Sequence, residues 1–312
     1  MKPAISINSS ALGDTIAAIP TINKLSKIYE QPITVFTSKP FLFVNHPSVL
    51  EAFQLDKIKE GYEVHHTFSP LLNSNNGVTF KHAAIDIRQF HAMSLGFTLN
   101  NQEMNTDLYV EKHIDLNGYS NYVVIHPTTT WASRTWDIEK WQSLVNKLND
   151  DGIPVIAIGQ QDIEMSSQYG KNVEKPVMDI DIKIGINMLN DDRCCIGSLR
   201  WIMKNAMCVI TMDSGILHVA GSTDVEIIQL GSSIDNKLRA PFRKGTQSYK
   251  YKYIEGSCNV SCASNLKYYK KVHGNIHGIP PLRKCLEGYD TFRCHPIVED
   301  VYNEIKKLKN KL

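Results

Sequence analysis

Two short stretches and one group of cysteines hold the residue types that do chemistry in this chain. The first stretch runs from Met207 to Gly221. Cys208 to Thr211 is a short apolar run of the kind that forms a buried strand in an α/β sheet. Met212-Asp213-Ser214-Gly215 breaks it with a turn, and Ile216, Leu217, Val219 and Ala220 open a helix. A strand, a tight turn and a helix form an anion-binding device, because the first amide N–H groups of a helix lack internal partners. Gly215 lets a phosphate or sugar approach the backbone, Asp213 can accept from ligand hydroxyls, and Ser214 can donate to a phosphate oxygen. The alternative is that Asp213 or Ser214 simply caps the helix.

The second stretch, Ser9-Ser10-Ala11-Leu12-Gly13-Asp14, follows an apolar run at Ala4 to Asn8. It places Gly13 and Asp14 at the carboxyl end of a strand, where parallel sheets bind ligands. Asp14 could equally cap a helix beginning at Thr15. The loop lacks Gly-x-Gly-x-x-Gly, which argues against NAD binding.

The cysteine group is Cys258-x-x-x-Cys262, Cys285 and Cys294. Four thiols match structural metal chemistry, since tetrahedral thiolate sites take Zn or Fe. Free thiols or two disulfides are the alternatives, and His273, His277 and His295 lie near enough in sequence to substitute as ligands. Cys194, Cys195 and Cys208 read as core or pocket residues. An odd total of seven cysteines fits reduced thiols and a cytoplasmic protein better than a full disulfide set.

The elements that must position these residues follow a βα rhythm. Ile16, Ile19, Ile22, Leu25 and Ile28 form one helical stripe, and Ile33 to Thr37 is the next strand, so the chain opens with a βαβ unit. Ala83 to Ile87 predicts a strand passing into a helix. Lys112 to Asn121 is polar and reads as the interdomain linker. Beyond it come strands at Tyr122–Ile125, Val155–Ile158 and Glu226–Leu230. Helices follow Thr135 or Asp137 and span Ser198 to Ala206. These elements predict two successive α/β domains with a cleft between them. The boundaries expected are 1–117, 118–295 with the cysteine-rich segment at 258–294, and an amphipathic helix at 296–312. Lys306, Lys307, Lys309 and Lys311 on that helix form a solvated face or touch an anionic membrane surface. At 312 residues and a net charge of +2, two domains are expected and nucleic-acid binding is not indicated. No window reaches the roughly 18 apolar residues of a membrane span, and the N-terminal apolar run is too short for a signal peptide.

Four motifs in order resemble one family, glycosyltransferase family 9, the heptosyltransferase-like enzymes. They are Ser9 to Ile16 with Pro20; His126-Pro127-Thr128-Thr129 with Arg134-Thr135-Trp136; Asp213 to His218; and the cysteine-bearing C-terminal segment. The resemblance implies a GT-B fold, two Rossmann-like domains with parallel sheets and an interdomain cleft, the front one facing acceptor and the rear one holding donor. It implies inverting transfer of a sugar, heptose by family, from a nucleotide diphosphate donor, with no catalytic metal. It assigns Asp14 as general base, in a glycine loop with Ser10 and Gly13. It assigns Arg134, with Thr128 and Thr129, to the donor phosphates, and Asp213, Ser214, Gly215 and His218 to donor binding. A packed core histidine is the other reading of His218. Gly197, in the Cys195–Leu199 stretch, is placed near the base, and Gln160 or Gln161 near the ribose. Relatives in the protein-modifying branch carry a comparable four-cysteine metal finger, which favours Cys258, Cys262, Cys285 and Cys294 as ligands. The acceptor is left open among a glycan, a lipid-linked saccharide, a protein or another hydroxyl. A different nucleotide sugar, a modified-DNA acceptor or a non-catalytic nucleotide-sugar binder are the alternatives. Acceptor recognition falls to front-half loops, including Phe41 to His46 and Arg88 to His91.

Overall fold

The computed structural model describes residues 1–67, 85–129, 132–160, 179–242, 250–265, 268 and 285–310. Among these residues two parallel sheets form the α/β frame. The first has four strands in the order β3-β2-β1-β4: β1 (Lys2–Ile7), β2 (Ile33–Thr37), β3 (Val49–Phe53) and β4 (Tyr62–Thr67). The second has six in the order β10-β9-β8-β5-β6-β7. Its strands are β5 (Val123–His126), β6 (Val155–Gly159), β7 (Gly185–Leu189), β8 (Cys208–Thr211), β9 (Glu226–Leu230) and β10 (Tyr251–Ile254). In both sheets the first strand in sequence lies inside and the chain winds outward from it in both directions. That order creates a switch point at the carboxyl end of β1 and another at that of β5.

The interior strands are continuous apolar runs because both faces are covered: β2, β5 and β8 are buried along their whole length. Side chains of β5 alternate between two apolar clusters, Val124 on one and Val123 with Ile125 on the other. The first cluster also contains Ile5 and Ile7 of the small sheet and Leu217 and Val219 of the helix that follows β8, so it runs unbroken between the halves. The second cluster holds α4 (Ile138–Asp150) and α7 (Val298–Lys309) through Trp141, Leu144, Val301 and Ile305.

Several local expectations are corrected. The stripe from Ile16 to Ile28 is two helices, α1 (Leu12–Ala17) and α2 (Ile19–Ile28), separated at Ala18. Pro20 falls in the first turn of α2, where its missing N–H costs no intrahelical bond. Ile85 and Asp86 are not strand. Asp86 caps α3 (Ile87–Ser94), accepting from the Arg88 amide at 2.9 Å, while Ala83 and Ala84 lie outside the described residues. Asp137 occupies the N-cap of α4 without a side-chain cap bond, its carboxylate being drawn instead to Lys140 Nζ at 2.8 Å. The tail lysines are engaged locally: Lys307 pairs with Glu304 at 2.7 Å, and Lys309 donates to the Asp151 carbonyl at 3.0 Å. Among the described residues no helix is long and apolar enough to cross a membrane.

Candidate active site at the junction of the two sheets

Helix α1, which leaves the carboxyl end of β1, packs directly on α6 (Gly215–Gly221), which leaves the carboxyl end of β8. The approach is close enough to require glycine on both sides. A Cβ on Gly13 would stand 3.0 Å from His218 Cδ2 and 3.6 Å from Gly215 Cα. A Cβ on Gly215 would stand 2.8 Å from Leu12 Cβ. Asp14 and the Asp213–Ser214–Gly215 turn therefore share one junction.

Asp14 sits in the first turn of α1, which begins at Leu12 rather than Thr15, so it does not cap a helix. It is half-buried, and Ser9 Oγ donates to its Oδ2 at 2.8 Å. Ser10, in the same loop, is exposed. Asp213 is buried, and Arg134 Nη1 donates to both its Oδ2 and its carbonyl at 3.2 Å each. Ser214 stands at the N-cap of α6 but makes no capping bond. Its hydroxyl lies 3.1 Å from Thr211 Oγ1 and 3.4 Å from His126 Nδ1. On the other edge of the same imidazole, Thr128 Oγ1 lies 3.4 Å from Nε2. His126, at the end of β5, thus ties the Thr128 loop to the Ser214 turn. Burial pushes its imidazole down to about 4, so it is neutral near pH 7. Thr129 Oγ1 donates to the Arg134 carbonyl at 3.0 Å and lies 2.7 Å from Thr135 Oγ1, fixing the loop that carries the guanidinium.

His218 is buried against Gly13, and burial pushes it also to about 4, with the charges of Asp213, Arg88, Arg239 and Asp14 all reaching it. It is a packed histidine and a junction residue at once. Two arginines outside the four motifs meet here: Arg88, from the front-half stretch expected to recognise the acceptor, and Arg239, which the sequence reading did not single out. Arg239, just after the 3₁₀ turn Asn236–Leu238, is buried and donates through Nη1 to the Ile85 carbonyl of the other half at 3.3 Å. Burial lowers its guanidinium first, and Asp213 and Asp14 oppose that. Arg88 in α3 holds Asp86 through Nε at 2.9 Å and Nη2 at 2.5 Å. Burial raises the Asp86 carboxyl, but these Arg88 bonds outweigh it and leave the group below the usual range. Nη1 of Arg88 is buried without a hydrogen-bond partner among the described residues, a situation that costs about 1–3 kcal/mol. The sequence signal for both arginines is positional: each lies in a segment that the fold brings to the strand ends.

A model of glycosyltransferase family 9 (heptosyltransferase) matches residues 48–268, more than half of the chain. The chain belongs to glycosyltransferase family 9. The match includes the Arg134 and Asp213–His218 motifs and leaves the Asp14 loop outside it. Solved structures share the fold over the whole length. A family 9 glycosyl transferase from Veillonella parvula is 15% identical, covers 100% of this chain and 98% of its own, and gives a TM-score of 0.62. The dodecameric iron-containing heptosyltransferase TibC in complex with ADP-D-β-D-heptose, from E. coli, is 15% identical over 99% of this chain and 77% of its own, with a TM-score of 0.66. The ADP-heptose LPS heptosyltransferase II of E. coli is 14% identical over 100% and 99%, with a TM-score of 0.58. No curated protein matches the chain. The two parallel sheets and these neighbours make this family 9 glycosyltransferase a GT-B-type chain.

Gly197, the second residue of α5 (Ile196–Lys204), lies under the Lys112 backbone, where a Cβ would come within 3.1 Å of Lys112 N. Its close neighbours are in the 111–112 segment, not in the Asp213 turn. Gln160 is exposed just beyond β6, and Gln161 lies outside the described residues.

The four cysteines of the C-terminal segment lie within electrostatic reach of one another. Burial pushes the Cys262 thiol up to about 11 and Cys294 to about 12, and each senses the charge of the other three cysteines or of two of them. Cys258 N donates to the Arg293 carbonyl, and Gly256 N to the Cys294 carbonyl, at 3.0 Å each, so two of the thiol-bearing segments run side by side. Their chemistry fits a thiolate metal site. Among the described residues, however, no group of three or more His, Cys, Asp or Glu side chains is placed to hold an ion. His295 is not a spare ligand: it is buried, with Nε2 3.0 Å from the Ser133 carbonyl. His273 and His277 lie outside the described residues.

Proposed function

We propose that this chain moves a sugar, heptose by family, from a nucleotide diphosphate donor to a hydroxyl acceptor with inversion, using Asp14 as general base. The observation that carries the reading is the contact of Gly13 with His218 and Gly215, which sets a half-buried carboxylate from the front half beside the rear-half turn. Inverting transfer needs a base to take the acceptor hydroxyl proton as the oxygen attacks the anomeric carbon. Asp14 suits this because, among the described residues, the side-chain bond it accepts comes from the neutral Ser9 hydroxyl at Oδ2, leaving the other oxygen to take the proton. The departing diphosphate needs positive potential around it. Arg134, the hydroxyls of Thr128 and Ser214, and the loop amides at Thr129 and Gly215 supply it, with Asp213 orienting Arg134. His218, neutral and wedged at Gly13, sets the distance between base and donor turn. The front half is assigned the acceptor and the rear half the donor, with the division near residue 117.

Cys258, Cys262, Cys285 and Cys294 are proposed to hold a structural Zn or Fe ion. Such an ion would cross-link the strands of chain around Gly256 and Cys294, remote in sequence from Asp14, and takes no part in the transfer. Elemental analysis of the purified protein checks this, and metal-free protein of full stability would overturn it.

The transfer reading is tested by titrating the protein with ADP-, GDP-, UDP- and CDP-sugars and following release of the nucleoside diphosphate. Binding of one class with slow, acceptor-stimulated release is expected. Binding of none would overturn the reading, and binding without release from any acceptor would leave a nucleotide-sugar binder instead.

A further inference from the structure

The guanidinium of Arg88 is a fixed fork with one edge in use. Its Nε and Nη2 grip Asp86 at 2.9 and 2.5 Å, which holds the plane of the group in one orientation. The remaining edge ends in Nη1, which is buried and has no hydrogen-bond partner among the described residues. The whole residue is 6% exposed, so this is an interior donor and not a solvated one. It is also placed where a substrate is expected. Arg88 stands in the first turn of α3, α3 packs on α1, and the charge of Arg88 reaches His218, whose ring touches Gly13 beside Asp14. A second guanidinium, Arg239, arrives from the opposite half and bonds to Ile85, three residues before Arg88.

We propose that the free edge of Arg88 is an anion-binding position on the acceptor side of Asp14, separate from the diphosphate turn at Ser214. The ligand class is a small oxyanion borne by the acceptor, phosphate or carboxylate, next to the hydroxyl that is attacked. A guanidinium edge matches two oxygens of either group, and the buried surroundings strengthen the pair. An ammonium at the same place would keep the charge toward Asp86 but offer no second edge. The assignment of the acceptor side rests on the transfer reading above, whereas the anion position itself does not.

The test uses the full chain with inorganic phosphate and acetate as probes, at constant ionic strength set with chloride. Thermal unfolding midpoints are recorded with each probe, with and without saturating ADP, for wild type and for Arg88→Lys. Wild type is expected to show a saturable rise with phosphate or acetate that persists in ADP-loaded protein, and the probe giving the tighter curve names the acceptor group. Arg88→Lys is expected to weaken that curve at least tenfold while leaving the ADP response unchanged. No saturable rise in wild type beyond the chloride control overturns the proposal, even if the variant fails to fold. So does an identical curve in the folded variant. Loss of the rise on adding ADP, with Arg88→Lys weakening ADP itself, overturns it too and gives Arg88 to the donor diphosphate. A protein that binds phosphate through Arg88 but no nucleotide would refute the transfer reading and leave the anion position standing.

Discussion

Asp14 and Asp213 face the same junction from opposite halves, and their surroundings differ in kind. Asp14 is half-buried and receives one bond from the Ser9 hydroxyl. Asp213 is buried and carries a guanidinium on both its side chain and its carbonyl. A carboxylate bonded to a neutral hydroxyl keeps an oxygen available for a proton, whereas one committed to an arginine is a fixed charge that orients its partner. In the proposed function this contrast corresponds to proton transfer in the front half and charge organisation in the rear.

The largest expected effect breaks the front side of that contrast. Asp14→Asn should lower turnover by about 10²–10⁴, the usual range for loss of a general base, while the melting midpoint stays close to wild type. Turnover assays and thermal unfolding on one preparation check both halves of the statement. Asp213→Asn should behave the other way, costing about 3 kcal/mol of stability because Arg134 loses its buried carboxylate, and weakening the donor. Denaturant unfolding and donor titration measure this. The junction should also be acid-sensitive. His126 and His218 are held at about 4 in the folded chain, against about 6.5 unfolded, so below pH 6.5 the unfolded state takes up protons that the folded state refuses. Stability is therefore complete above about pH 6.5 and is lost as pH falls toward 4, by on the order of 3 kcal/mol per histidine. Unfolding curves between pH 7 and 4 follow it, and His126→Gln should flatten part of the slope. Gly13→Ala has a smaller effect, about 1–2 kcal/mol, since the new methyl would meet the His218 ring at 3.0 Å. It should lower turnover more than it lowers donor affinity, which steady-state kinetics can separate.

What was legible in the sequence follows burial. The strands read from apolar runs are β1, β2, β5, β6, β8 and β9, and all six are interior to their sheets. β3, β4, β7 and β10, which were not anticipated, are the four edges. An edge strand such as Tyr62–Thr67 or Val49–Phe53 is half-exposed and mixes Glu, His and Leu, so neither a run nor a clean alternation marks it. Within the site, Asp14 and Asp213–His218 were legible because a turn of small residues after an apolar run marks a strand end. Arg239 was not, since it reaches the junction only through packing between the halves and bonds to Ile85, 154 positions away in sequence. Arg88 lay in a stretch named for acceptor recognition, but the packing of its helix on α1 is a tertiary fact that no local pattern carries. The capping alternative for Asp14 fails because α1 begins at Leu12, and that for Ser214 because the residue holds the N-cap position of α6 without a side-chain capping bond.

The most direct test of the division between the two carboxylates is the donor dissociation constant of Asp14→Asn, measured calorimetrically beside its turnover. The account predicts a Kd within about threefold of wild type in a protein that no longer turns over, because a base acts on the acceptor proton and not on donor binding. A variant that still turns over at the wild-type rate, or one that has lost the donor, would contradict it.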